Sequence, residues 1–544
     1  MKKPILQKIS FQKILLILSI LINVVLTIII FATINEKQIY TYFNSDTLYL
    51  PSIYKDLFID KSGLAGWHLN GAPNFLPDML LFFIVRSFFN HFIPACFAFS
   101  LIQLVIILIL LSILYKSIFK SINYLHLSFA IVLMSFFLLA TLVNDDFVYT
   151  FYLLSISYHL GVFIMLLISF IFLFKYIKSE KIIHIIILFI LSIISIINDR
   201  LYIVMFSLPI YALILTLFIK TEKKKQFIKI LIYNTLSIFI GLFLFRMLRL
   251  SGYVHIIDLS WKVFNFNNII PALKTFIEQH TYYLKEIDFR GIINLMFMVS
   301  FCIHLFFLLK NLVLAFNKKD YNQNEFIYLL LFTPTVLIIL VTPVINGNYI
   351  SWALLRYNIY SLYLGIFSYA FLVYKLNIKI KFSINYLSLI VVLLLTIESI
   401  YIIKKINENN ISEGLTNFMN YYPENVKCID ELSKEEVLKF GVAEYWKAKY
   451  ITMFSKENIR VYTVLNNLSI WYHVMNQNWY YKNKNGVFGN PEFNFIITNG
   501  INNQEIINKL GIPTDTISCN DNWEIFKFKS FQFDNKTRKP SIVN

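Results

Sequence analysis

The stretch from Ile14 to Thr33 reads ILLILSILINVVLTIIIFAT and decides the fold. A helix of this length, rising about 1.5 Å per residue, crosses a hydrocarbon layer about 30 Å thick. Ten further apolar runs follow, near 92–115, 123–143, 151–174, 182–198, 201–219, 230–248, 291–310, 326–344, 357–374 and 384–403. The sequence therefore predicts a polytopic α-helical membrane protein with about eleven transmembrane helices.

The composition agrees with this prediction and argues against a nucleic-acid-binding protein. The 544-residue chain is 57% hydrophobic and 15% charged, whereas soluble domains average about 25% charged residues. Its formal net charge of +17 comes from short lysine clusters between the apolar runs. That arrangement is typical of positive-inside topology. We therefore expect membrane lipids as partners and no nucleic acid.

The basic residues also orient the helices. Lysines precede the first run and fill the connections after the second, fourth, sixth, eighth and tenth runs. Such connections are expected on the cytoplasmic side of the cell inner membrane. No small-residue cleavage site follows the first run, so we expect it to be a retained helix and not a signal peptide. With eleven crossings, residues 407–544 are predicted to lie outside, in the periplasm or cell exterior.

Residues 76–90 are apolar but too short to span the membrane. Counting them as a crossing would invert every later connection and place the lysine clusters outside. We therefore predict a re-entrant or interfacial segment here, resembling an amphipathic helix on the membrane surface.

Polar residues gather in the loops that this topology places outside. They include Asp46 and the segment GWHLNGAPNFLPD (66–78) in the first loop, Asn144-Asp145-Asp146 in the second, Asn198-Asp199-Arg200 in the third, and Asn346-Gly347-Asn348-Tyr349 with Arg356 in the fifth. Charges at the hydrocarbon boundary are costly unless they are paired or functional. Ordinary polar loop ends could account for each acid alone, but four acids at one face favour a shared site.

This layout resembles the GT-C superfamily of glycosyltransferases, polytopic enzymes that take a sugar from a polyprenyl-phosphate carrier. The shared features are the retained first helix, the early first-loop acid, the second-loop acids, the late arginine and the soluble C-terminal domain. The resemblance implies a GT-C-like module at 1–406, with Asp46 as the base toward the acceptor and Asp145 and Asp146 as the second-loop acids. It implies that Arg356 holds the carrier phosphate. The oligosaccharyltransferase signature WWDYG is absent from the sequence, which argues against transfer of a whole oligosaccharide to asparagine.

Elementary chemistry supports the same roles. Glycosyl transfer needs a base for the acceptor proton and positive charge on the departing phosphate, and the planar guanidinium of arginine can grip two phosphate oxygens. Further candidates for substrate binding are Trp67, His68, Asp199, Arg200 and Tyr349. No metal site is predicted outright. If Asp46, Asp145 and Asp146 converge, they could hold a divalent metal such as Mg or Mn.

His159, in the segment SYHLG, is a weaker candidate. It lies 13 residues past Asp146, which is about 20 Å along a continuous helix. We therefore expect it to form a hydrogen bond inside the helix bundle and to take no part in catalysis.

Residues 407–544 change in character and predict a small α/β domain. Strands are expected at 459–464, 493–498, 516–519 and 523–528, with helices at 434–454 and 503–510. The domain contains two cysteines, Cys428 and Cys519, and in an exported domain such a pair is predicted to form a disulfide. Its aromatic clusters, at 444–446 and 471–479, either bind sugar by stacking, build the domain core or rest on the membrane face.

The function expected from these patterns is that of a membrane glycosyltransferase. It would transfer a sugar from a polyprenyl-phosphate carrier to an envelope glycan, lipid or protein acceptor. One alternative is a transporter or flippase of a lipid-linked saccharide, and another is a non-catalytic assembly or anchoring protein. Transporters often show internal repeats and helices broken at the midplane. The sequence shows neither, which favours the enzyme.

The predicted topology has a direct test. An alkaline phosphatase fused after residue 410 should be active, because that enzyme folds only outside the cytoplasm, and a reporter that works only in the cytoplasm should be silent there. The opposite pair of results would contradict the topology and the outer location of the site.

Overall fold

The computed structural model describes residues 10–156, 159–218, 224–257, 264–317, 322–380, 384–435, 438, 440–480, 491–519, 523–534 and 537–542. Within these residues, nine helices are long and apolar enough to cross a membrane. They are Phe11–Ala32, Phe92–Ile118, Tyr124–Val143, Leu160–Ser179, Lys224–Leu250, Phe289–Phe316, Gln323–Ile345, Ile359–Ile378 and Ile384–Glu408. The chain is therefore a multi-pass helical membrane protein, as its apolar runs predict.

The other two predicted spans correspond to shorter apolar helices. Ile182–Asn198 coincides with one run, and the apolar segment Ile203–Leu217 lies inside the next. The latter segment begins with a π-helical turn, Ile203–Ser207, which continues into the α-helix Leu208–Phe218. Each of the eleven predicted runs thus contains a helix.

A polar face joins the first and third of the long helices. Ser19, Asn23 and Thr27 recur every four residues, so they lie on one side of Phe11–Ala32. All three are buried, and the Asn23 side chain donates a hydrogen bond to the Ile131 carbonyl at 3.1 Å. Hydrogen bonds of this kind hold apolar helices together within a membrane, where burial of apolar surface drives no association.

Short helices connect the long ones. Between the first two lie Glu36–Tyr42, Tyr49–Tyr54 and Leu80–Arg86, with π-helical turns at Lys55–Ile59 and Phe75–Met79. Later connections contain the α-helix Ile269–Lys285 and the 3-10 helices Val148–Thr150, Phe266–Asn268 and Trp352–Tyr357. Within 76–90 the π-helical turn Phe75–Met79 runs directly into the seven-residue helix Leu80–Arg86, and together they fall well short of the roughly 20 residues that cross a bilayer. This agrees with the prediction that the segment does not span the membrane.

One predicted helix begins later than expected. The sequence predicts one continuous helix over 151–174. The structure instead has a short helix that ends at Leu154, and the long helix starts at Leu160. Ser155 is extended, and His159 has a positive φ of 60°. The chain therefore turns before the helix begins, and His159 lies at the end of a helix instead of along it.

The C-terminal domain is an α/β domain built on a six-stranded sheet. Its helices are Ile411–Met419, Glu424–Lys434, Tyr445–Phe454 and Asn503–Leu510. Its strands are β3 (Gly441–Ala443), β4 (Val461–Thr463), β6 (Phe493–Ile497), β7 (Asp515–Cys519), β8 (Trp523–Phe533) and β9 (Pro540–Ile542). The strand order is β4-β3-β6-β8-β7, with β9 also paired to β8. Strands β4, β3 and β6 are parallel, and the other pairings are antiparallel.

Most of the predicted elements of this domain are present, with one correction. The predicted helix at 434–454 is interrupted by β3, which pairs with strands on both sides. Strand β3 can lie this close to β6 because Gly441 has no side chain, and a Cβ atom at that position would collide with the ring of Phe495. The predicted disulfide between Cys428 and Cys519 is confirmed, and their α-carbons are 5.8 Å apart. It ties the helix Glu424–Lys434 to the edge strand β7.

A second, small sheet joins this domain to the membrane-spanning part. Strand β1 (Trp67–Leu69) pairs in parallel with β2 (His255–Ile256) and in antiparallel with β5 (Met475–Asn476). The three strands come from the connection after the first long helix, the connection after Lys224–Leu250, and the C-terminal domain. Backbone hydrogen bonds therefore fix the domain against two of the membrane connections.

The carboxylate of Asp56 is buried at this junction. Its Oδ2 atom accepts hydrogen bonds from Trp67 at 3.1 Å, Asn476 at 3.1 Å and Trp479 at 2.9 Å. Its Oδ1 lies 3.3 Å from the guanidinium of Arg460. Burial raises the pKa of Asp56, although Arg460 opposes this shift. Donors from both sides of the junction thus stabilise one carboxylate.

Replacing Asp56 should loosen the C-terminal domain. Asp56→Asn leaves the shape but removes the charge that Arg460 and the three donors bind, at a cost of about 2 kcal/mol. We expect a lower unfolding temperature in detergent and faster release of the domain by limited proteolysis. Asp515→Asn, on the exposed start of β7, is the matched control. Equal behaviour of the two variants would contradict this role.

Candidate functional site

Asp46 lies in a turn whose geometry is set by Asn44. The short helix Glu36–Tyr42 begins with a capping box in which Asn35 and Gln38 exchange hydrogen bonds. After it, the backbone N–H groups of Asp46 and Thr47 both donate to the side-chain oxygen of Asn44, at 2.9 Å and 3.2 Å. This is an Asx-type turn, which Asn adopts readily. It fixes the backbone at Asp46.

The C-terminal domain supplies the partners of Asp46. The hydroxyl of Tyr445 donates to Asp46 Oδ1 at 2.6 Å, and Ser45 Oγ donates to the Tyr445 carbonyl at 2.6 Å. Lys449 Nζ donates to the Ser45 carbonyl at 2.9 Å. Tyr445 and Lys449 are one turn apart on the helix Tyr445–Phe454, so both face the same loop.

Arg356 lies on the other side of the Asp46 carboxylate. It belongs to the 3-10 helix Trp352–Tyr357, and its Nη1 is 3.9 Å from Asp46 Oδ2. The two side chains remain 23% and 27% exposed, respectively. A base and a cation that are adjacent and still accessible are the two groups that glycosyl transfer from a phosphate requires. We refer to Asp46, Arg356, Tyr445 and Lys449 as the Asp46 site.

The connection that contains Asp145 and Asp146 reaches the Asp46 site through tyrosines and not through these two acids. Tyr149 donates a hydrogen bond to the Trp352 carbonyl at 3.1 Å. Tyr152 is buried, and the charges of Arg356 and Asp46 are near enough to interact electrostatically with its hydroxyl group. Asp145 and Asp146 are exposed, and Asp146 forms an ion pair with Lys37. Their catalytic role therefore stays a prediction.

The three candidate catalytic acids do not form a metal site. Within the described part of the chain, no group of three or more His, Cys, Asp or Glu side chains is arranged to hold a metal ion. The convergence of Asp46, Asp145 and Asp146 that Mg or Mn binding requires is therefore not found. Asp46 instead faces an arginine and a tyrosine.

A second polar cluster contains His159, Asp199 and Asp78. His159 Nδ1 lies 2.5 Å from Asp199 Oδ2. Burial by itself lowers the pKa of His159, but the carboxylate of Asp199 more than offsets this, and the pKa lies above the usual histidine value. The charge of Arg356 also acts on His159. The cluster and the Asp46 site are thus electrostatically coupled.

Asp78 completes this cluster at the start of the helix Leu160–Ser179. Burial raises the pKa of its carboxyl group to about 7, and the backbone N–H of Gly161 forms a hydrogen bond with it. A Cβ atom at position 161 would lie 1.8 Å from Asp78 Oδ2. Only glycine leaves room for this contact. The backbone N–H of Leu76 donates to Asn198 Oδ1 at 3.0 Å, which holds the turn bearing Asp78 against the loop of Asp199.

Sequence reasoning missed this cluster for a specific reason. The sequence predicts a continuous helix from residue 151, along which His159 lies about 20 Å from Asp146. In the structure the long helix begins only at Leu160, so this helical spacing does not apply. Two features of the sequence belong to this cluster, the glycine of SYHLG and Asp78, which follows a proline. Neither feature indicates that the two residues meet in the fold. The expected hydrogen bond of His159 exists, and its partner is Asp199.

The other candidate substrate residues occupy different environments. Trp67 and Tyr349 are fully buried; Trp67 donates to Asp56, and Tyr349 donates to Gln279 Oε1 at 2.6 Å. Neither ring presents a face to a substrate in this structure, and both act in packing. Arg200 donates to the Gly71 carbonyl at 3.2 Å, and its guanidinium lies 4.3 Å from the Phe245 ring centre. His68, in contrast, lines a cleft described below.

No protein-family model matches the chain, and no curated protein sequence matches it. The fold defines a class: a multi-pass helical membrane protein whose C-terminal α/β domain contributes side chains to a charged site beside its helices.

The charge of Lys449 gives this site a measurable pH dependence. Burial lowers the pKa of Lys449 to about 7, against the opposing effect of Asp46, whereas an unfolded lysine titrates at about 10.4. Between these values the unfolded state binds more protons, so the free energy of unfolding rises with pH.

We therefore expect stability to rise from pH 7 to pH 9 by about 1 kcal/mol per pH unit relative to Lys449→Met. Thermal unfolding in detergent across this range measures it. Lys434→Met, at a largely exposed lysine, is the control and should run parallel to the wild type. If the stability of Lys449→Met also changed with pH as that of the wild type does, the pKa of Lys449 would not be lowered in the folded protein, and the prediction would be wrong.

Proposed function

We propose that this protein is a GT-C-type glycosyltransferase of the cell inner membrane. It transfers a sugar from a polyprenyl-phosphate carrier to an envelope glycan, lipid or protein acceptor on the outer face. The observation that carries this proposal is the Asp46–Arg356 pair, a partly exposed carboxylate 3.9 Å from a partly exposed guanidinium. The layout of the sequence, which resembles that superfamily, supports the same assignment.

The reaction divides between the two side chains. The acceptor hydroxyl attacks the anomeric carbon of the donor sugar, and Asp46 takes the hydroxyl proton as the new glycosidic bond forms. The bond between the anomeric carbon and the phosphate oxygen breaks, and its electron pair leaves with the phosphate. Arg356 stabilises the resulting negative charge through its planar fork. Tyr445 binds Asp46 Oδ1, which directs Oδ2 toward the acceptor.

His159 adds positive charge on the phosphate side in this proposal. Burial and the charge of Arg356 lower the histidine pKa, but its partner Asp199 raises it by more and so favours the imidazolium over the neutral ring. Asp199 thereby acts on the substrate through His159 and not by direct contact. Asp145 and Asp146, exposed at the rim with Lys37, would orient the acceptor. No step in this scheme requires a metal ion.

The membrane setting belongs to the same proposal. Eleven crossings, of which nine are long helices and two are shorter, place residues 407–544 outside if the lysine-rich connections are cytoplasmic. Asp46, Arg356 and the C-terminal domain then share the outer face. A polyprenyl chain of about 55 carbons would lie between the helices, with its phosphate at the level of Arg356.

A flippase for a lipid-linked saccharide is less well supported. Transporters bind their cargo near the membrane midplane, between repeated halves. The Asp46 site lies instead where the soluble domain meets the helix ends, and Tyr445 of that domain takes part in it. A soluble domain that holds the base of the site is more readily explained by chemistry at this position than by transport past it.

Glycan analysis of a complemented deletion strain tests the enzyme and its two principal residues. Asp46→Asn should restore no transfer, because an amide cannot accept the acceptor proton. Arg356→Lys should lower transfer at least about tenfold, or about 1.4 kcal/mol, because an ammonium group cannot form two parallel hydrogen bonds. Mass spectrometry of envelope glycans and lipids measures both, at equal protein levels.

The matched controls are Asp146→Asn and Asp515→Asn, which remove exposed carboxylates. Asp515→Asn should restore the glycan fully, and Asp146→Asn should reduce transfer less than Asp46→Asn does. Near-normal transfer by Asp46→Asn would exclude it as the base. Near-normal transfer by Arg356→Lys would exclude recognition of the phosphate by two parallel hydrogen bonds, and Arg356 would then be a residue that anchors the protein at the membrane surface.

A further inference from the structure

A cleft of about 630 Å³ lies between the C-terminal domain and two of the membrane connections. Its volume falls within the range of small-molecule sites, about 300–1,000 Å³. The residues that define its chemistry are His68, Arg249, His255, Trp471, Tyr472 and Arg538. They come from three separate parts of the chain, so the cleft exists only because the domain is docked.

Planar groups are stacked along one side of the cleft. The ring of His68 lies between those of His255 and Tyr472, with centroids 4.6 Å and 4.8 Å away and interplanar angles of 21° and 18°. The pairing of β1 with β2 places His68 opposite His255, and Gln477 Oε1 lies 3.1 Å from His68 Nε2. The guanidinium of Arg538 lies 4.5 Å from the Tyr472 ring centre. These contacts hold His68, Tyr472 and Arg538 together as one wall of the cleft.

The charge of the cleft is positive. Among its described lining residues are two arginines, Arg249 and Arg538, and no acidic side chain. Burial lowers the pKa of His68 to about 4, so this ring is neutral at pH 7 and serves in stacking and hydrogen bonding. The arginines therefore supply the charge, and a guanidinium fork matches a carboxylate or phosphate group.

Ring contacts of Trp471 link the lining of the cleft to the Asp46 site. Trp471 lines the cleft, and its ring centre is 5.2 Å from that of Tyr445. Tyr445 in turn donates to Asp46 Oδ1 at 2.6 Å. A saccharide that extends from the arginines past Trp471 would therefore approach Tyr445, the residue that binds Asp46.

We propose that this cleft binds the acceptor, and that the acceptor is an acidic saccharide whose carboxylate or phosphate groups pair with Arg249 and Arg538. The acceptor role rests on the proposed function, whereas the binding itself does not. The acid groups anchor the saccharide at the arginines, and Trp471 offers an aromatic ring to its sugar faces on the side of Tyr445 and Asp46.

Binding by the purified full-length protein in phosphatidylcholine nanodiscs tests the cleft directly. The probes are hexagalacturonate, which carries carboxylates, and maltohexaose, a neutral oligosaccharide of the same length. We expect the wild type to bind hexagalacturonate at least tenfold more tightly, and Arg538→Gln to lose most of that preference. Lys539→Gln removes the same charge from the adjacent position, outside the cleft lining, and should bind as the wild type does.

Two further measurements separate the inference from the proposed function. Asp46→Asn should bind hexagalacturonate normally, because the arginines and not Asp46 anchor the acid groups. If the wild type binds hexagalacturonate but restores no transfer in cells, the cleft assignment stands and only the enzyme is overturned. Equal affinities for the two oligosaccharides, or an Arg538→Gln variant that binds as the wild type does, would overturn the cleft assignment. So would loss of binding when phosphatidylglycerol is added to the nanodiscs, because the arginines would then recognise a lipid headgroup.

Discussion

The carboxylate of Asp56 joins the two halves of this protein, and the geometry of the charged site depends on it. Burying a carboxylate is costly unless donors and a counter-charge surround it. Here Trp67 donates from the first connection, Trp479 and Asn476 donate from the C-terminal domain, and Arg460 supplies the charge. The convergence of these groups stabilises the docked position of the domain. Tyr445 meets Asp46, and the cleft forms, as consequences of that position.

Much of the helical architecture could be predicted because its cause is local. A run of about twenty apolar residues must be helical in a bilayer, and each predicted run contains a helix. The disulfide was also predictable, since the domain has only two cysteines. Strand β3 and the turn before Leu160 were not, because their causes are distant. The strand is stabilised by pairing on both sides, and the turn is accompanied by contact of Gly161 with Asp78.

The residues of the Asp46 site also fall into two groups, those that could be predicted from the sequence and those that could not. The hypothesis that Asp46 and Arg356 share one face came from topology alone, and the structure brings them within 3.9 Å. Their partners Tyr445 and Lys449 lie about 400 residues from Asp46 in the chain, and no spacing in the sequence connects them. Asp145 and Asp146 share the sequence character of Asp46 but point to solvent, where Lys37 pairs with Asp146. Charge and loop position therefore identified the region, and only the fold separates a partly buried acid from exposed ones.

The most direct measurement of the central claim is the affinity of the purified protein for a polyprenyl phosphate compared with the corresponding polyprenol. The two ligands share the hydrocarbon chain and differ only in the phosphate group, so their difference reports the anion site alone. The wild type and Lys37→Gln, which removes another cation near this face, should prefer the phosphate by at least about tenfold, or about 1.4 kcal/mol. Arg356→Gln should bind the two ligands nearly equally. Equal binding by the wild type, or an undiminished preference in Arg356→Gln, would contradict a carrier phosphate bound at Arg356.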